Sequence, residues 1–225
     1  MQDHVWIVIA AYREEAVIRE VVSTVVAQWP NVVVVDDGSG DATAEQARLG
    51  GAQVLIHPVN LGQGAALATG IRHALIQGAQ YIVTYDADGQ HSMHDIERLV
   101  QPIVEGRAQV AIGSRFLGEA LAMPASRKLL LKAAVLFTWL TAGVRMTDAH
   151  NGLRCFSAAA ARQIRITQNR MAHASEIIEE IGQNKLSYIE VPVTIRYTEY
   201  SMAKGQSMSN SLHIVLDLLL GRLFK

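Results

Sequence analysis

Short apolar runs that alternate with segments of helical spacing constrain the fold of this chain more than any other feature. Residues 5–10, 32–35, 81–85 and 109–113 are such runs, and 53–57 is a weaker one. Continuous apolar runs of this length are typical of strands that are buried on both faces of a sheet. Strands that alternate with helices form parallel βαβ units, with helices on both faces of the sheet. The sequence therefore predicts an α/β fold with a mostly parallel central sheet flanked by helices.

The intervening segments carry apolar residues at helical spacing, and the alternation becomes irregular in the second half of the chain. An extended segment is predicted at 186–197. The predicted helices cover residues 14–28, 42–49, 65–77, 95–105, 127–143 and 175–184. We predict one domain over 1–208, with a Rossmann-like nucleotide-binding half (1–115) and an acceptor half (116–208). An apolar tail helix is predicted at 209–225.

The composition excludes several classes of protein. Half of the 225 residues are apolar, which excludes a disordered chain. The net charge of −1 gives no basic excess for a nucleic-acid partner. The single cysteine, Cys155, cannot form a disulfide within the chain, which favours a reducing, cytoplasmic location. The N-terminal residues enter a strand directly and show no signal-peptide pattern.

Two apolar segments raise the question of membrane contact. Residues 129–144 and 211–225 are shorter than the ~20 apolar residues of a membrane span, and they contain Lys132, Asp217 and Arg222. Each segment fits either a buried helix or a helix that lies on a membrane surface. Contact with a second copy in a homo-oligomer is a further interpretation of the tail helix.

Two aspartates end the fourth predicted strand, in the stretch YIVTYDADGQH. Asp86 and Asp88 are one residue apart, so their side chains can project to the same side of the strand. Neighbouring carboxylates repel each other unless a cation or a hydrogen-bond donor satisfies them. Mg²⁺ is often held by one or two carboxylates and substrate phosphates, and Gln90 and His91 lie close enough to add a ligand. The alternative is a solvated turn, because a bare D-x-D pattern is a weak signal.

A second acidic pair, Asp36 and Asp37, follows the all-valine second strand. Ligands of open parallel sheets bind outside the carboxyl ends of the strands, so both acidic pairs are expected at one edge. One carboxylate of this second pair is a candidate for binding a nucleobase N–H or a ribose hydroxyl. The alternative is a turn in which Ser39 or Asp41 starts the next helix.

The loop NLGQG at 60–64 precedes a predicted helix, and its glycines, Gly62 among them, permit close approach of the backbone to a ligand. The loop matches neither the P-loop pattern nor the G-x-G-x-x-G pattern of dinucleotide sites. It therefore argues against both of these kinds of nucleotide site.

Taken together, these motifs resemble those of a known enzyme family. AAYREE, VVVVDDGSGD, NLGQGAALATGI, YIVTYDADGQH and DAHNGLRCFSAAA occur in the order found in family 2 glycosyltransferases of the GT-A fold. The similarity covers nearly the whole chain and is greatest to polyprenyl-phosphate sugar transferases of the dolichyl-phosphate mannosyltransferase type. The chain differs at Gly89, where the commoner motif has leucine. The Q-x-x-R-W motif of processive polysaccharide synthases is absent.

The resemblance implies a donor side and an acceptor side. On the donor side the implied residues are Ala10, Tyr12 and Glu14 for the nucleotide pocket, Asp37 for the base, and Asp86, Asp88 and Gln90 for Mg²⁺ or Mn²⁺. On the acceptor side, the D-x-x-[SN]-G-[FL]-R motif contributes Asp148, Asn151, Gly152 and Arg154. The residues implied for the acceptor phosphate are Arg115, Arg127 and Arg196. A loop that closes over the donor contains Lys204 and Ser207. Asp36 and Gly62 complete the predicted substrate-binding residues. The predicted catalytic residues are Asp88, Arg115 and Asp148.

The resemblance implies an inverting transfer of a sugar from a UDP- or GDP-sugar in one displacement. Metal and basic side chains would neutralise the charge that develops on the leaving nucleoside diphosphate. A phosphate-monoester acceptor is already ionised at neutral pH and needs positive charge rather than a general base. The arginines of the second half fit this need. A polyprenyl phosphate, dolichyl or undecaprenyl, is therefore the predicted acceptor, which implies a peripheral position on the cytoplasmic face of the membrane.

Three alternatives remain open. A saccharide or other hydroxyl acceptor, as in cell-surface glycan synthesis, would need a general base, with Asp148 or His150 as candidates. A sugar-1-phosphate nucleotidyltransferase would need a glycine-rich loop after the first strand, which AAYREEAV lacks. A non-catalytic scaffold that binds sugar nucleotides would not need the intact Asp86 and Asp88 pair.

Overall fold

A computed structural model of the chain describes residues 1–121, 123, 128, 131–132, 135, 139, 143–197 and 200. At its centre lies a sheet of seven strands. The strands are β1 (Val5–Ala11), β2 (Asn31–Asp36), β3 (Gln53–Ile56), β4 (Tyr81–Asp86), β5 (Val110–Leu121), β6 (Arg154–Ser157) and β7 (Tyr188–Arg196). The five predicted strands and the predicted extended segment correspond to β1–β5 and β7, whereas the sequence does not predict β6.

The helices flank this sheet. They are a 3-10 helix (Gln2–His4), α1 (Ile18–Val26), α2 (Thr43–Leu49), α3 (Gln63–Ile76), α4 (His94–Val104), α5 (Ala158–Gln163) and α6 (His173–Gln183). Helix α1 begins later than predicted because the residues before it form a turn, in which the Glu14 carbonyl accepts the backbone N–H groups of Val17 and Ile18. The predicted helix at 127–143 falls mostly outside the described residues, and the predicted tail helix at 209–225 falls wholly outside them.

The strand order is β3-β2-β1-β4-β6-β5-β7. Strand β1 pairs in parallel with β2 and β4, so that Ala10 lies opposite both Val35 and Asp86. The carboxyl ends of these three strands therefore meet at one edge. Strand β6 is antiparallel to its neighbours β4 and β5. The predicted mostly parallel sheet is confirmed, with one reversed strand inserted into it.

Strand β5 differs from the prediction, which ends the fifth strand near Gly113. The strand continues to Leu121 beside β7, with a break in register between Ser114 and Glu119. Irregularities of this kind bend a strand and redirect the side chains near them, here Arg115. The predicted boundary between the two halves of the domain, at residue 115, falls inside this strand.

Side chains of the sheet alternate between its two faces, and each face packs against helices. Ile7 and Ile9 of β1 belong to the core that includes residues of α1 and α4, whereas Trp6 and Val8 belong to the core that includes residues of α3 and α6. Burying one large aliphatic side chain stabilises a fold by roughly 1.5–3 kcal/mol. The two helical layers therefore hold the strand ends in place. Within the described residues, no helix has the length and apolarity that crossing a bilayer requires.

Candidate active site

A cavity of about 710 Å³ opens at the edge of the sheet where the carboxyl ends of β1, β2 and β4 meet. Ligand sites of open parallel sheets occupy this position. The predicted site residues that line the cavity are Ala10, Tyr12, Glu14, Asp37, Gly62, Asp86, Asp88, Gln90 and Arg115. The structure thus brings most of the predicted donor-side residues to one cavity.

Asp86, the last residue of β4, is held as an ionised carboxylate on the cavity wall. Its Oδ2 lies 2.8 Å from Nε2 of His91. Burial by itself raises the pKa of Asp86, but the hydrogen bond with His91 and the charges of Arg154 and Arg115 lower that pKa overall. Gly152 packs directly against this carboxylate, since a Cβ at Gly152 would lie 2.3 Å from both of its oxygens.

Asp88 faces the same cavity, and its pKa shifts in the opposite direction. Burial and the negative charge of Asp86 raise the pKa of Asp88 to about 6. The backbone N–H of Gln90 donates to Asp88 Oδ1 at 3.1 Å, and Oδ2 has no hydrogen-bond partner among the described residues.

Gly89 has a φ angle of +71°, a left-handed conformation that a leucine would adopt only with strain. This turn explains the glycine at the position where the chain departs from the family motif.

The two carboxylates fit a divalent cation whose remaining ligands come from substrate and water. A cation beside Asp88 would offset the repulsion from Asp86 that raises the Asp88 pKa. In the described part of the chain, no group of three or more histidine, cysteine or acidic side chains could enclose a metal ion. A pair of carboxylates is a common protein contribution to a Mg²⁺ site, where the ion binds one or two carboxylates together with substrate phosphates.

Asp37 anchors the glycine-containing loop that forms another part of the cavity wall. Its Oδ1 accepts the backbone N–H of Leu61 at 3.0 Å, and its Oδ2 accepts that of Gly62 at 2.7 Å. His57 Nδ1 lies 2.7 Å from Asp37 Oδ1, and His57 Nε2 lies 3.0 Å from the hydroxyl of Thr69. A chain of hydrogen bonds from α3 therefore fixes the Asp37 carboxylate. Its contact with a nucleobase stays a prediction.

Asp36 points into its own turn rather than into the cavity. Its Oδ1 accepts the backbone N–H of Ser39 at 3.1 Å and is also hydrogen-bonded to the Ser39 hydroxyl. Asp36 is not among the residues that line the cavity. The turn, which the sequence left open as an alternative, accounts for these contacts of Asp36, so the structure gives it no contact with the predicted substrate site.

Tyr12 and Glu14 lie where β1 leads toward α1. The backbone N–H of Glu14 donates to the Thr43 hydroxyl at 2.8 Å, and Glu14 Oε2 accepts the Tyr200 hydroxyl at 2.7 Å. Tyr12 is 38% exposed, and the Arg13 guanidinium lies 5.2 Å from the centre of its ring. Glu14 therefore connects the first strand end to Tyr200, in the half of the chain that the sequence predicts to bind the acceptor.

Arg115 is tied to Asp148 inside the protein. Arg115 Nε donates to Asp148 Oδ2 at 2.6 Å, while Nη1 donates to the Tyr197 hydroxyl at 2.9 Å and Nη2 to the His150 carbonyl at 3.1 Å. Burial by itself lowers the pKa of Arg115, but Asp148 and Tyr197 raise that pKa overall. Asp148 is 1% exposed and does not line the cavity. The structure thus places Asp148 as the counterion of Arg115, out of contact with the cavity.

The rest of the D-x-x-N-G-L-R motif is buried beneath the cavity wall. Asn151 donates to Asp148 Oδ2 at 3.4 Å and accepts a backbone N–H at 3.0 Å. Arg154 is 2% exposed and donates to two backbone carbonyls. Burial lowers the pKa of Arg154 to about 10, so it stays charged at neutral pH, and its charge helps to keep Asp86 ionised. Both side chains therefore act on the site through other residues.

Of the other predicted basic residues, the structure describes only Arg196, which does not reach this cavity. Arg196 ends β7 with an exposed side chain and is not among the lining residues. Arg127 and Lys204 lie outside the described residues, as does Ser207. Their predicted roles stay predictions.

Arg170 lines the cavity, although no sequence motif identifies it as a site residue. It lies between α5 and α6, in a segment that packs against the glycine-containing loop, where the Asn169 carbonyl accepts the backbone N–H of Ala65 at 3.2 Å. Its own carbonyl is hydrogen-bonded to His173 Nδ1. Among the described residues, no side chain pairs with the Arg170 guanidinium. Arg170 thus supplies a positive charge to the cavity, and no described side chain pairs with it.

His150 also lines the cavity and is the remaining candidate for a general base. Burial and the charge of Arg154 lower the pKa of His150 to about 4, so its ring is neutral at pH 7 and weakly basic. Its Nε2 lies 3.4 Å from the Ser175 hydroxyl, and its Nδ1 is buried without a hydrogen-bond partner in the described part of the chain.

Comparison of the sequence with known proteins identifies relatives along almost its whole length. The chain is 36% identical over 228 residues to an uncharacterized protein of Methanocaldococcus jannaschii, with 99% of this chain and 94% of that protein covered. It is 32% identical to the UDP-N-acetylglucosamine–dolichyl-phosphate N-acetylglucosaminyltransferase of Methanococcus voltae, with 98% and 97% covered. It is 28% identical to the polyprenol monophosphomannose synthase of Mycolicibacterium smegmatis, with 88% and 79% covered.

Comparison of the structure identifies the fold, and a family model identifies the family. The glucosyl-3-phosphoglycerate synthase of Mycobacterium tuberculosis, crystallised with Mg²⁺ and UDP, superposes with a TM-score of 0.71 at 19% identity, over 96% of this chain and 78% of that one. This similarity confirms the predicted GT-A fold. The family model for glycosyl transferase family 2 matches residues 6–163. With most of the chain inside that match and two relatives above 30% identity, this chain belongs to glycosyl transferase family 2.

Proposed function

We propose that this chain is an inverting, metal-dependent glycosyltransferase that moves a sugar from a nucleoside-diphosphate sugar to a polyprenyl phosphate. The observation that carries the proposal is the charge arrangement of the main cavity. The Asp86 and Asp88 carboxylates line the same cavity as Arg170, whose guanidinium has no paired side chain in the described part of the chain. The choice of acceptor is supported by relatives named as a dolichyl-phosphate N-acetylglucosaminyltransferase, an undecaprenyl-phosphate mannosyltransferase and a polyprenol monophosphomannose synthase.

On the donor side, Asp86 and Asp88 would hold Mg²⁺ or Mn²⁺ together with the diphosphate of the donor. When bound, the ion supplies positive charge against the charge that develops on the leaving nucleoside diphosphate. The His91 hydrogen bond orients the Asp86 carboxylate, and Arg154 keeps it ionised. The loop anchored by Asp37 would close the other side of the nucleotide.

On the acceptor side, the available bases favour a phosphate nucleophile over a hydroxyl. A hydroxyl acceptor needs a general base within hydrogen-bond reach. Asp148 is committed to Arg115 and does not line the cavity, and burial lowers the pKa of His150 to about 4. A phosphate monoester is ionised at neutral pH and needs no base. It needs a cation, and the guanidinium of Arg170, which lines the cavity, would bind its oxygens.

A lipid acceptor requires that the enzyme work at a membrane surface. We propose peripheral association with the cytoplasmic face, through the apolar segments at 129–144 and 211–225. Flotation with liposomes that contain anionic lipid tests this association. A protein that stays at the bottom of the gradient with and without lipid would contradict it.

The function is tested by a donor screen with full-length protein. UDP- and GDP-sugars are incubated with polyprenyl phosphate and Mg²⁺ or Mn²⁺, and lipid-linked sugar is measured. We expect product from one donor class, none with the unphosphorylated polyprenol, and none from Asp88→Asn. Transfer to a saccharide hydroxyl in place of the lipid would overturn the acceptor assignment. Undiminished transfer by Asp88→Asn would overturn the metal assignment.

Arg170→Gln tests the acceptor contact separately. Loss of one charge-assisted hydrogen bond of about 1.5–3 kcal/mol should raise the acceptor KM by roughly tenfold or more and leave the donor KM unchanged. Arg48→Gln on α2 is the matched control, because it removes an exposed arginine away from the cavity. Equal acceptor KM values for both variants would rule out this role for Arg170.

A further inference from the structure

A second cavity of about 350 Å³ lies between α3, α5 and α6, and nothing in the proposed reaction uses it. Its interior is apolar, with side chains from α3, α5, α6 and β6 and from the segment that follows α5. Ile71 and Leu75 come from α3, Phe156 from β6, and Ile177 from α6, while Ile164 belongs to the segment that follows α5. Apolar cavities of about 300–1,000 Å³ are the usual sites of small ligands, and this one is at the small end of that range.

Among the described residues, the charged residues that line this second cavity are three arginines: Arg72, Arg162 and Arg165. All three are exposed, and no acidic side chain among the described residues lies within about 4 Å of their guanidinium groups. Glu180, the nearest recorded acidic contact of this segment, accepts the backbone N–H of Arg165 and not its side chain. Among the described residues, the three guanidinium groups are therefore not paired with a carboxylate.

The second cavity is separate from the main cavity, and the two share no lining residue. Residues 164–171 lie between them, with Ile164, Arg165 and Ile166 on the second cavity and Arg170 and Met171 on the main one. A phosphate bound by the arginines of the second cavity is thus held outside the site that contains Asp86 and Asp88.

We propose that the second cavity binds a single-chain anionic amphiphile, with its apolar chain inside and its carboxylate or phosphate head group on the three arginines. The aliphatic and aromatic side chains of the lining carry no hydrogen-bonding group, so burying a sugar ring among them would leave its hydroxyls without partners. Guanidinium groups match the planar carboxylate and the phosphate equally well, and both are bound in pairs of hydrogen bonds. The small volume suits one chain rather than two. Ile76, which is 74% exposed one turn beyond Arg72 on α3, extends the apolar surface outward.

Isothermal titration of the full-length protein with dodecyl phosphate and with dodecanoate, both below their micelle concentrations, tests this proposal. We expect saturable binding of one molecule per chain for at least one of the two, and the ratio of their affinities identifies the preferred head group. Dodecanol, which has the chain without the charge, and inorganic phosphate, which has the charge without the chain, should each bind at least about tenfold more weakly.

Two variants locate the binding. Arg162→Gln/Arg165→Gln should weaken binding by about tenfold or more, whereas the matched control Arg19→Gln/Arg48→Gln should leave it unchanged. Ala68→Trp, which fills the second cavity from α3 without changing charge, should abolish binding. Circular dichroism confirms that each variant is folded. Absence of saturable binding, equal binding of dodecanol, full competition by inorganic phosphate, or unchanged affinity in the arginine double variant would each overturn the proposal.

Discussion

Gly152 is the position where the smallest change should have the largest effect on the site. A Cβ at Gly152 would lie 2.3 Å from both carboxylate oxygens of Asp86, whereas ordinary contacts begin at 3.4 Å. The backbone of Gly152 cannot retreat, because its carbonyl accepts the Thr84 hydroxyl at 2.7 Å next to the β4–β6 pairing. Gly152→Ala therefore moves the Asp86 carboxylate by about 1 Å or breaks its bond to His91.

The expected loss of activity follows from that displacement. A misplacement of about 1 Å in a catalytic arrangement can cost on the order of 100-fold in rate, or about 2.7 kcal/mol. Gly152 does not have a positive φ angle, so an alanine there adds no backbone strain. The free energy of unfolding should fall by at most about 1–3 kcal/mol, the usual range for overpacking, because the Asp86 side chain can turn toward the cavity.

The assay combines transfer kinetics with Mn²⁺ binding followed by electron paramagnetic resonance. Gly152→Ala should weaken both, and the double variant with Asp86→Ala should be no worse than Asp86→Ala alone. Gly106→Ala is the contrasting control: its φ of +70° predicts lost stability, and its open surroundings predict full activity. Wild-type kinetics in Gly152→Ala, or additive losses in the double variant, would refute the reasoning.

Two further predictions concern buried charges. Asp148→Asn should lower the free energy of unfolding by about 3–5 kcal/mol in urea titrations, because it leaves Arg115 buried without its counterion. Unchanged stability together with lost activity would instead indicate that Asp148 is a catalytic base. Burial lowers the pKa of His173 to about 4, below the ordinary value near 6.5, so the neutral ring stabilises the folded state. This contribution to the free energy of unfolding is fully present above pH 6.5 and falls by about 3 kcal/mol as the pH drops toward 4. Chemical denaturation of His173→Gln at several pH values should show that this part of the pH dependence is lost. An unchanged dependence of the free energy of unfolding on pH would contradict the prediction.

The sequence predicted the first half of the fold well because its strands are buried on both faces. Such strands are continuous apolar runs, and their order along the chain sets which ends meet at one edge. Strand β6 escaped prediction for the opposite reason. It has four residues, begins with Arg154, and is identified only by its pairing with β4 and β5, which are far from it in sequence.

The candidate site shows the same division. The position of Asp86 and Asp88 in the site could be predicted, because they follow a strand whose carboxyl end lies at the ligand-binding edge of the sheet. Arg170 could not, because its access to the cavity depends on the packing of residues 164–171 against a loop about one hundred positions earlier. Sequence patterns also do not show which partner takes up a charge. Asp36 and Asp148 are acidic residues at the expected positions, but their carboxylates are hydrogen-bonded within the protein. Asp36 accepts from Ser39, and Asp148 accepts from Arg115.

Residues 164–171 form a common partition, with Arg170 on one side and the apolar residues of the second cavity on the other. Glu176 holds the middle of this partition by accepting the backbone N–H groups of Thr167 and Gln168. Any coupling between ligand binding in the two cavities is thermodynamically reciprocal. If an occupant of the second cavity changes the affinity of the main cavity by some factor, acceptor binding must change the affinity for that occupant by the same factor. The strength of communication can therefore be measured from either side, even before the sugar that is transferred has been identified.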